Sequence, residues 1–298
     1  MSADIEFKKG FASDNNSGVH PRILEAIEKA NRGHFVAYGA DPFTEAALGR
    51  FREAFGCSAE AYFVFTGTGA NVLGLKAVCS SHESVLCSAV SHLNSDECGA
   101  PEHFVGVKLI PVRTEDGKLF PELLEPLLRG RGDGHHSQPR AVSVTQPTEL
   151  GTVYGIDELS ALSAFARRNG LLLHMDGARL ANAAAHLGCG LKELTADAGV
   201  DVLSFGGTKN GMMIGEAVVF FDPGLARSFK YIRKQGMQLA SKMRFISAQF
   251  EAYLRDGLWL ENARHANAMA SLLAEELGKI PGCAVTQKVQ ANGVFLSM

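Results

Sequence analysis

The chain has no hydrophobic run long enough to span a bilayer, and Met1 to Lys9 show no apolar stretch followed by a small-residue cleavage site. That excludes an obvious membrane anchor or leader, and the expectation is a soluble, cytoplasmic protein. There is no block of one charge: 29 Lys and Arg are scattered among 32 Asp and Glu, for a net charge of -3. Such a balance gives no electrostatic footprint for nucleic acid or a membrane surface. Six cysteines lack any paired C-x-x-C spacing, so reduced, buried thiols are expected rather than a disulfide frame. No repeat or low-complexity tract is present. What is there is ordinary globular composition, 46% hydrophobic and 20% charged over 298 residues, enough for one large domain and a smaller one.

The order of elements predicts an α/β fold. Residues 1–20 read as an N-terminal arm. Pro21 to Asn31 and Thr44 to Phe55 then read as helices, the first opened by proline and the second closed by Gly56. Short apolar strands follow, at Ala61–Phe65, Ser84–Cys87, Val107–Ile110, Ala141–Val144, Leu171–Asp176 and Val200–Leu203, separated by helices that include one from Asn71. Alternation of this kind predicts a mostly parallel central sheet covered by helices, with ligands beyond the carboxyl ends of the strands. The large domain is expected over 21–255. Residues 256–298, a long helix from Leu258 to Leu277 and two strand-like pieces, read as the start of a small C-terminal α+β domain cut short.

Four segments carry candidate chemistry. Lys209 lies in Gly206-Gly207-Thr208-Lys209-Asn210-Gly211 directly after a strand, and Asp176 ends another. An amine and a carboxylate delivered to one sheet edge are what pyridoxal 5'-phosphate requires: a lysine for the Schiff base and an acid to keep the ring nitrogen protonated. Singly, Asp176 reads equally well as a helix cap, and His174 with Asp176 on one strand face admits a metal reading. No third ligand at recognisable spacing supports the latter, so no metal is expected. Thr66-Gly67-Thr68-Gly69-Ala70-Asn71 joins a strand to a helix, where free N–H groups and a positive dipole end suit a phosphate. Alone, it reads more readily as a tight strand-to-helix turn, since it lacks the lysine of a P-loop and the full G-x-G-x-x-G spacing. His92 opens Ser91-His92-Leu93-Asn94 after a strand, placed either for proton transfer or for a structural hydrogen bond.

Taken together, Ser13-Asp14-Asn15, Ala37-Tyr38-Gly39-Ala40-Asp41-Pro42, the Thr66 turn, His92, His174-Met175-Asp176-Gly177-Ala178-Arg179 and the Lys209 segment resemble the threonine aldolase family. These are fold-type I pyridoxal phosphate enzymes related to the β-eliminating lyases. The resemblance covers nearly the whole chain, and its version of these segments is similar to the low-specificity L-threonine and phenylserine aldolases of bacteria. It implies retro-aldol cleavage of a β-hydroxy-α-amino acid to glycine and an aldehyde. Lys209 would hold the cofactor, Asp176 would face the ring nitrogen, and Gly67, Thr68 and Gly69 would bind the phosphate. His92 would stack on the ring and act as base, Arg179 would lie near the ring oxygen of the cofactor or the substrate carboxylate, and Ser13 would lie by the substrate. Tyr38 and the stretch around Arg233, Lys234 and Lys242 are similar to segments that reach a neighbouring subunit's site, which implies a homodimer or homotetramer.

The chain departs from the pattern twice. Where some aldolases carry a histidine in Asn-Thr-His, it has Thr145-Gln146-Pro147-Thr148-Glu149, leaving Glu149 or a water for that contact. The arginine that the family uses for the substrate carboxylate belongs to a segment past Met298. Rival readings are an aminotransferase or β-lyase on the same fold, or a cofactor-binding protein without turnover.

Overall fold

Proline opens both N-terminal helices. In α1 (Pro21–Ala30) the His20 side chain accepts from the Arg22 backbone N–H at 3.2 Å. In α2 (Pro42–Phe55) the Asp41 carboxylate accepts from Thr44 N–H at 2.9 Å, and Gly56 ends the helix at φ 108. The Asp41-Pro42 pair therefore starts this helix ahead of Thr44. The structure, a computed structural model, describes residues 10–298, so the reading of Met1 to Lys9 lies outside the described residues.

Seven strands form the main sheet: β1 (Glu60–Val64), β2 (Glu83–Ser88), β3 (Lys108–Val112), β4 (Gln138–Thr145), β5 (Leu172–Gly177), β6 (Val202–Gly206) and β7 (Glu216–Phe220). Their order is β1-β7-β6-β5-β4-β2-β3, parallel from β6 through β3 and antiparallel on both sides of β7. The fold class is thus the α/β arrangement expected. One strand, β7, is missing from the expected order, because Glu216 interrupts the apolar signal at its start. Since β7 is antiparallel to both neighbours, β1 runs the same way as β6. The carboxyl ends of β1, β2, β4, β5 and β6 consequently share one edge, and the loops that follow them converge there.

Each face of the sheet has its own cover. The helix α3 (Gly67–Val78) lies against Val64, Val202 and Val218, with Ala70, Val72, Leu73 and Leu75 in the same apolar cluster. On the other face Phe51 and Phe55 of α2 meet Phe63, Phe205 and Phe250, with Phe63 and Phe250 stacked at 5.0 Å. Each buried phenylalanine contributes about 1.5–3 kcal/mol relative to an exposed one, and paired rings add about 0.5–1.5 kcal/mol. Such a core clamps the sheet and makes its edge a rigid platform.

The expected helix Leu258–Leu277 is present, followed by a two-stranded pair, β8 (Ala284–Val285) and β9 (Leu296–Ser297). The cysteines are all free, but Cys57 and Cys98 are exposed and only Cys87 is fully buried, so the expectation of uniformly buried thiols does not hold. Among the described residues, no helix is long and apolar enough to cross a membrane.

Candidate active site

Asp176 stands near the end of β5, where its carboxylate is buried although the strand edge opens to the site. It has no cationic partner among the described residues. Its Oδ2 accepts from Asn71 Nδ2 at 2.7 Å, and its Oδ1 accepts from the Ala178 backbone N–H at 3.0 Å. The helix that follows starts at Leu180 with Arg179 at its N-cap, so Asp176 does not cap it. A buried carboxylate fed only by neutral donors is an acceptor for a cationic ring N–H.

Lys209 follows β6, the strand paired with β5, in a short 3-10 turn over Thr208–Asn210. Gly206 ends β6 because a methyl there would run into the Ala178 backbone. The turn is pinned by Asn210, whose side chain donates to Tyr253 Oη at 2.7 Å and to the Trp259 carbonyl at 2.8 Å. Lys209 is half-buried and its amine makes no hydrogen bond or ion pair among the described residues. Lys209 and Asp176 thus stand at or just past the carboxyl ends of two paired strands, on one edge of the sheet.

The helix α3 begins at Gly67, not at the expected Asn71. The Thr66 hydroxyl caps it, accepting from Gly69 N–H at 3.0 Å. Gly67, Thr68 and Gly69 therefore form the first turn; the N–H groups of Gly67 and Thr68 are free for an anion, while that of Gly69 is taken by the cap. The glycines differ. A Cβ on Gly67 would meet nothing within 4 Å, whereas one on Gly69 would lie 2.7 Å from the Gln238 side chain. Gln238 in turn accepts from Phe65 N–H at 2.9 Å.

His92 starts the short helix α4 (His92–Ser95) after β2, and its backbone N–H donates to Glu149 Oε1 at 2.8 Å. Its Nδ1 lies 3.0 Å from Glu97 Oε1. That hydrogen bond raises the imidazole pKa, and burial, which lowers it, is the weaker effect. Burial raises the carboxyl pKa of both Glu97 and Glu149. Glu149 Oε1 also accepts from the Thr145 hydroxyl at 2.7 Å, while Glu149 Oε2 is buried without a partner.

Arg179 does not stand free beside the ring position. Its Nε and Nη2 donate to the two carboxylate oxygens of Asp14 at 2.6 and 2.8 Å. Asn292 adds a donor to Asp14 at 2.9 Å. Ser13 caps the Asp14–Asn16 turn, accepting from Asn15 N–H at 3.2 Å. Ser13, Asp14, Glu149, Arg179, Asn292 and Phe295 share the wall of one cavity of about 280 Å³. Tyr38 is not brought to it. That residue is half exposed at φ 63, its N–H donates to the Ser241 carbonyl at 2.9 Å, and Lys234 Nζ sits 5.2 Å from its ring centre.

Three residues at the site carry no signal strong enough to be singled out in the sequence. Asn71 and Glu97 reach it by being buried between α3 and α4, and Glu216 by standing at the head of β7. Burial pushes the Glu216 carboxyl up to about 8, against the opposing effects of Thr208 and Lys209. An acidic residue opening an otherwise apolar strand was the visible sign. Among the described residues, no group of three His, Cys, Asp or Glu side chains could hold a metal ion. The open space at Gly67, the cation-free pocket of Asp176 and the unpaired amine of Lys209 together fit a ring that carries a phosphate, a basic nitrogen and an aldehyde.

Comparison with known proteins agrees with this geometry. The beta-eliminating lyase family model matches residues 10–298. The chain is 52% identical over 289 residues to the low specificity L-threonine aldolase of Pseudomonas sp. (strain NCIMB 10558), covering 97% of this chain and 84% of that protein. Identity and coverage are the same for the Pseudomonas aeruginosa enzyme of that name. The solved Leishmania major threonine aldolase superposes with a TM-score of 0.91 at 30% identity, covering 96% of this chain and 83% of that one. An aspartate aminotransferase from Thermus thermophilus, at 18% identity and a TM-score of 0.70, shares the fold-type I architecture. The chain therefore belongs to the beta-eliminating lyase family and, within it, to the threonine aldolases of low specificity.

Proposed function

We propose that this protein cleaves β-hydroxy-α-amino acids such as L-threonine, L-allo-threonine and phenylserine to glycine and an aldehyde, with pyridoxal 5'-phosphate as cofactor. The observation that carries this reading is that an unpartnered Lys209 amine, in the turn after β6, and a buried, cation-free Asp176 on the adjacent β5 share one edge of the sheet.

When bound, pyridoxal phosphate supplies a cationic ring that accepts the electron pair of the broken Cα–Cβ bond. Lys209 provides the attaching amine. Asp176 would face the ring nitrogen and hold a proton there by charge, while Gly67 and Thr68 would hold the phosphate with the free N–H groups of the first turn of α3, and Gly69 would let the backbone approach it. His92 lies along the ring and takes the β-hydroxyl proton at Nε2. Glu149 shares the substrate cavity and stands ready at the same hydroxyl. Arg179 and Ser13 meet the substrate carboxylate, with Asp14 fixing the guanidinium in place.

In the same reading, Tyr38 and the stretch around Arg233, Lys234 and Lys242 serve the site of a second copy. The working unit is then a cytoplasmic homodimer or homotetramer. Residues 21–255 form the cofactor-holding domain and 256–298 belong to a smaller C-terminal one.

The deciding experiment incubates the pyridoxal phosphate-loaded protein with L-threonine or phenylserine and assays both products. Equal amounts of glycine and aldehyde are expected, and borohydride reduction should fix the cofactor on Lys209. Formation of a keto acid without aldehyde would instead indicate an aminotransferase or β-lyase, and label on a different lysine would remove the cofactor assignment.

A further inference from the structure

We propose that Glu97 is the positioning residue of His92: it holds the imidazole with its proton on Nδ1, leaves Nε2 bare toward the site, and is itself tied to Asp176 through Asn71. The inference deepens the aldolase reading and rests on it for the identity of the proton that His92 moves.

The chain of contacts is continuous. Asp176 Oδ2 accepts from Asn71 Nδ2 at 2.7 Å, the same nitrogen donates to Glu97 Oε1 at 2.9 Å, and Glu97 Oε1 lies 3.0 Å from His92 Nδ1. An amide nitrogen carries two hydrogens, and here each is directed to a carboxylate. Turning the amide over would set its oxygen against two carboxylates, so the orientation is determined by the partners. An ionised carboxylate only accepts, which requires Nδ1 to be the donor. A neutral imidazole with hydrogen on Nδ1 has its lone pair on Nε2. That atom makes no hydrogen bond among the described residues, and the ring edge is partly open, with 37% of the side chain exposed against 0% for Glu97.

The burial of Glu97 needs a reason. Its Oε2 is buried with no partner, a costly state for a carboxylate that serves only to fill space. Packing alone does not explain that oxygen, since an apolar side chain would fill the position without it. That cost is accounted for when the carboxylate orients a neighbouring imidazole and raises the basicity of its Nε2. Three other charged groups bear on the ring or its backbone: Asp176 from β5, Lys209 from the turn after β6, and Glu149 on the His92 backbone N–H.

The test compares wild type, Glu97→Gln and Glu97→Ala, all loaded with pyridoxal phosphate. His92 titration is read without reference to turnover, from the rate at which diethyl pyrocarbonate labels the His92 peptide between about pH 5 and 8, where an imidazole changes charge. Glutamine keeps an acceptor for Nδ1 and Asn71 but removes the charge. The expected result is a His92 titration about one pH unit lower in Glu97→Gln, a tenfold change in its protonation equilibrium. The acidic limb of kcat/KM should move by the same amount. In Glu97→Ala the ring loses its orientation, and kcat should fall further than in Glu97→Gln while the cofactor stays bound. Identical labelling profiles for wild type and Glu97→Gln would overturn the proposal. If Glu97→Ala does not fold, the near-isosteric Glu97→Gln decides alone. A shifted His92 titration in a protein that does not cleave threonine would uphold the pairing and refute the substrate reading.

Discussion

Arg179 grips both carboxylate oxygens of Asp14, at 2.6 and 2.8 Å, and so ties the N-terminal arm to the turn after β5. A bidentate pair fixes a guanidinium plane as well as a charge, which is what recognition of a substrate carboxylate demands. Replacing Asp14 with alanine should raise KM for the amino acid by about tenfold, equivalent to roughly 1.4 kcal/mol, with cofactor affinity nearly unchanged. The stability loss should be about 1 kcal/mol or less, because more than a third of Arg179 meets solvent. Burial of Asp14 raises its pKa, but the bonds from Arg179 and Asn292 outweigh it, and the net direction is down. A depressed carboxyl pKa stabilises above the unfolded value and loses that contribution as pH falls through the folded value. Acid melts should therefore show the full difference between wild type and Asp14→Ala above about pH 4 and converge progressively as pH falls below it.

The two glycines of the first turn of α3 should respond differently. Gly67→Ala has open space for its methyl, so thermal stability should hold while cofactor affinity drops by about tenfold or more. Gly69→Ala would push into Gln238 and take away the acceptor of the Phe65 N–H, costing about 1–3 kcal/mol of stability. Thermal melts with and without pyridoxal phosphate distinguish the two. Equal destabilisation by both variants would count against a phosphate at Gly67.

Glu149→Gln tests the residue that stands in the cavity with an unpaired, buried carboxylate oxygen. If that oxygen takes part in proton transfer, kcat should fall by about 10²-fold or more. The contacts to His92 N–H and Thr145 can persist, since glutamine offers the same acceptor. Unchanged kcat together with a raised KM would restrict Glu149 to substrate binding.

His174 gives a prediction about stability alone. It is fully buried between the Ser143 and Ser204 hydroxyls, at 2.8 and 3.3 Å, and burial lowers its pKa to about 4. In the unfolded chain it titrates near 6.5. A depressed histidine pKa makes the unfolded chain the better proton binder between these values. Its share of stability is complete above about pH 6.5 and declines as pH falls toward 4, by roughly 3 kcal/mol in all. Denaturant melts of His174→Gln, which cannot titrate, should show a weaker pH dependence across that window than wild type.

The legible part of the site was local. Lys209 and Asp176 each close an apolar strand, and the glycine turn lies between a strand and a helix, so near-neighbour patterns alone placed them at one sheet edge. Arg179 was legible as a residue but not in its partnership, because Asp14 is remote in sequence and meets it only after the arm folds back. Asn71, Glu97 and Glu216 gave still less warning. A polar residue within an apolar helix or at a strand start signals nothing until burial removes water and forces it to find a partner.

By itself the sequence determined the alternation of strands and helices, and with it the class of fold, because periodic burial and helix capping act over a few residues at a time. Only the tertiary structure decided the antiparallel insertion of β7 and the run of contacts from Asp176 through Asn71 and Glu97 to His92. These depend on which segments share a face of the sheet, and hydrogen bonds between residues distant in the chain become strong only once packing has excluded water from around them.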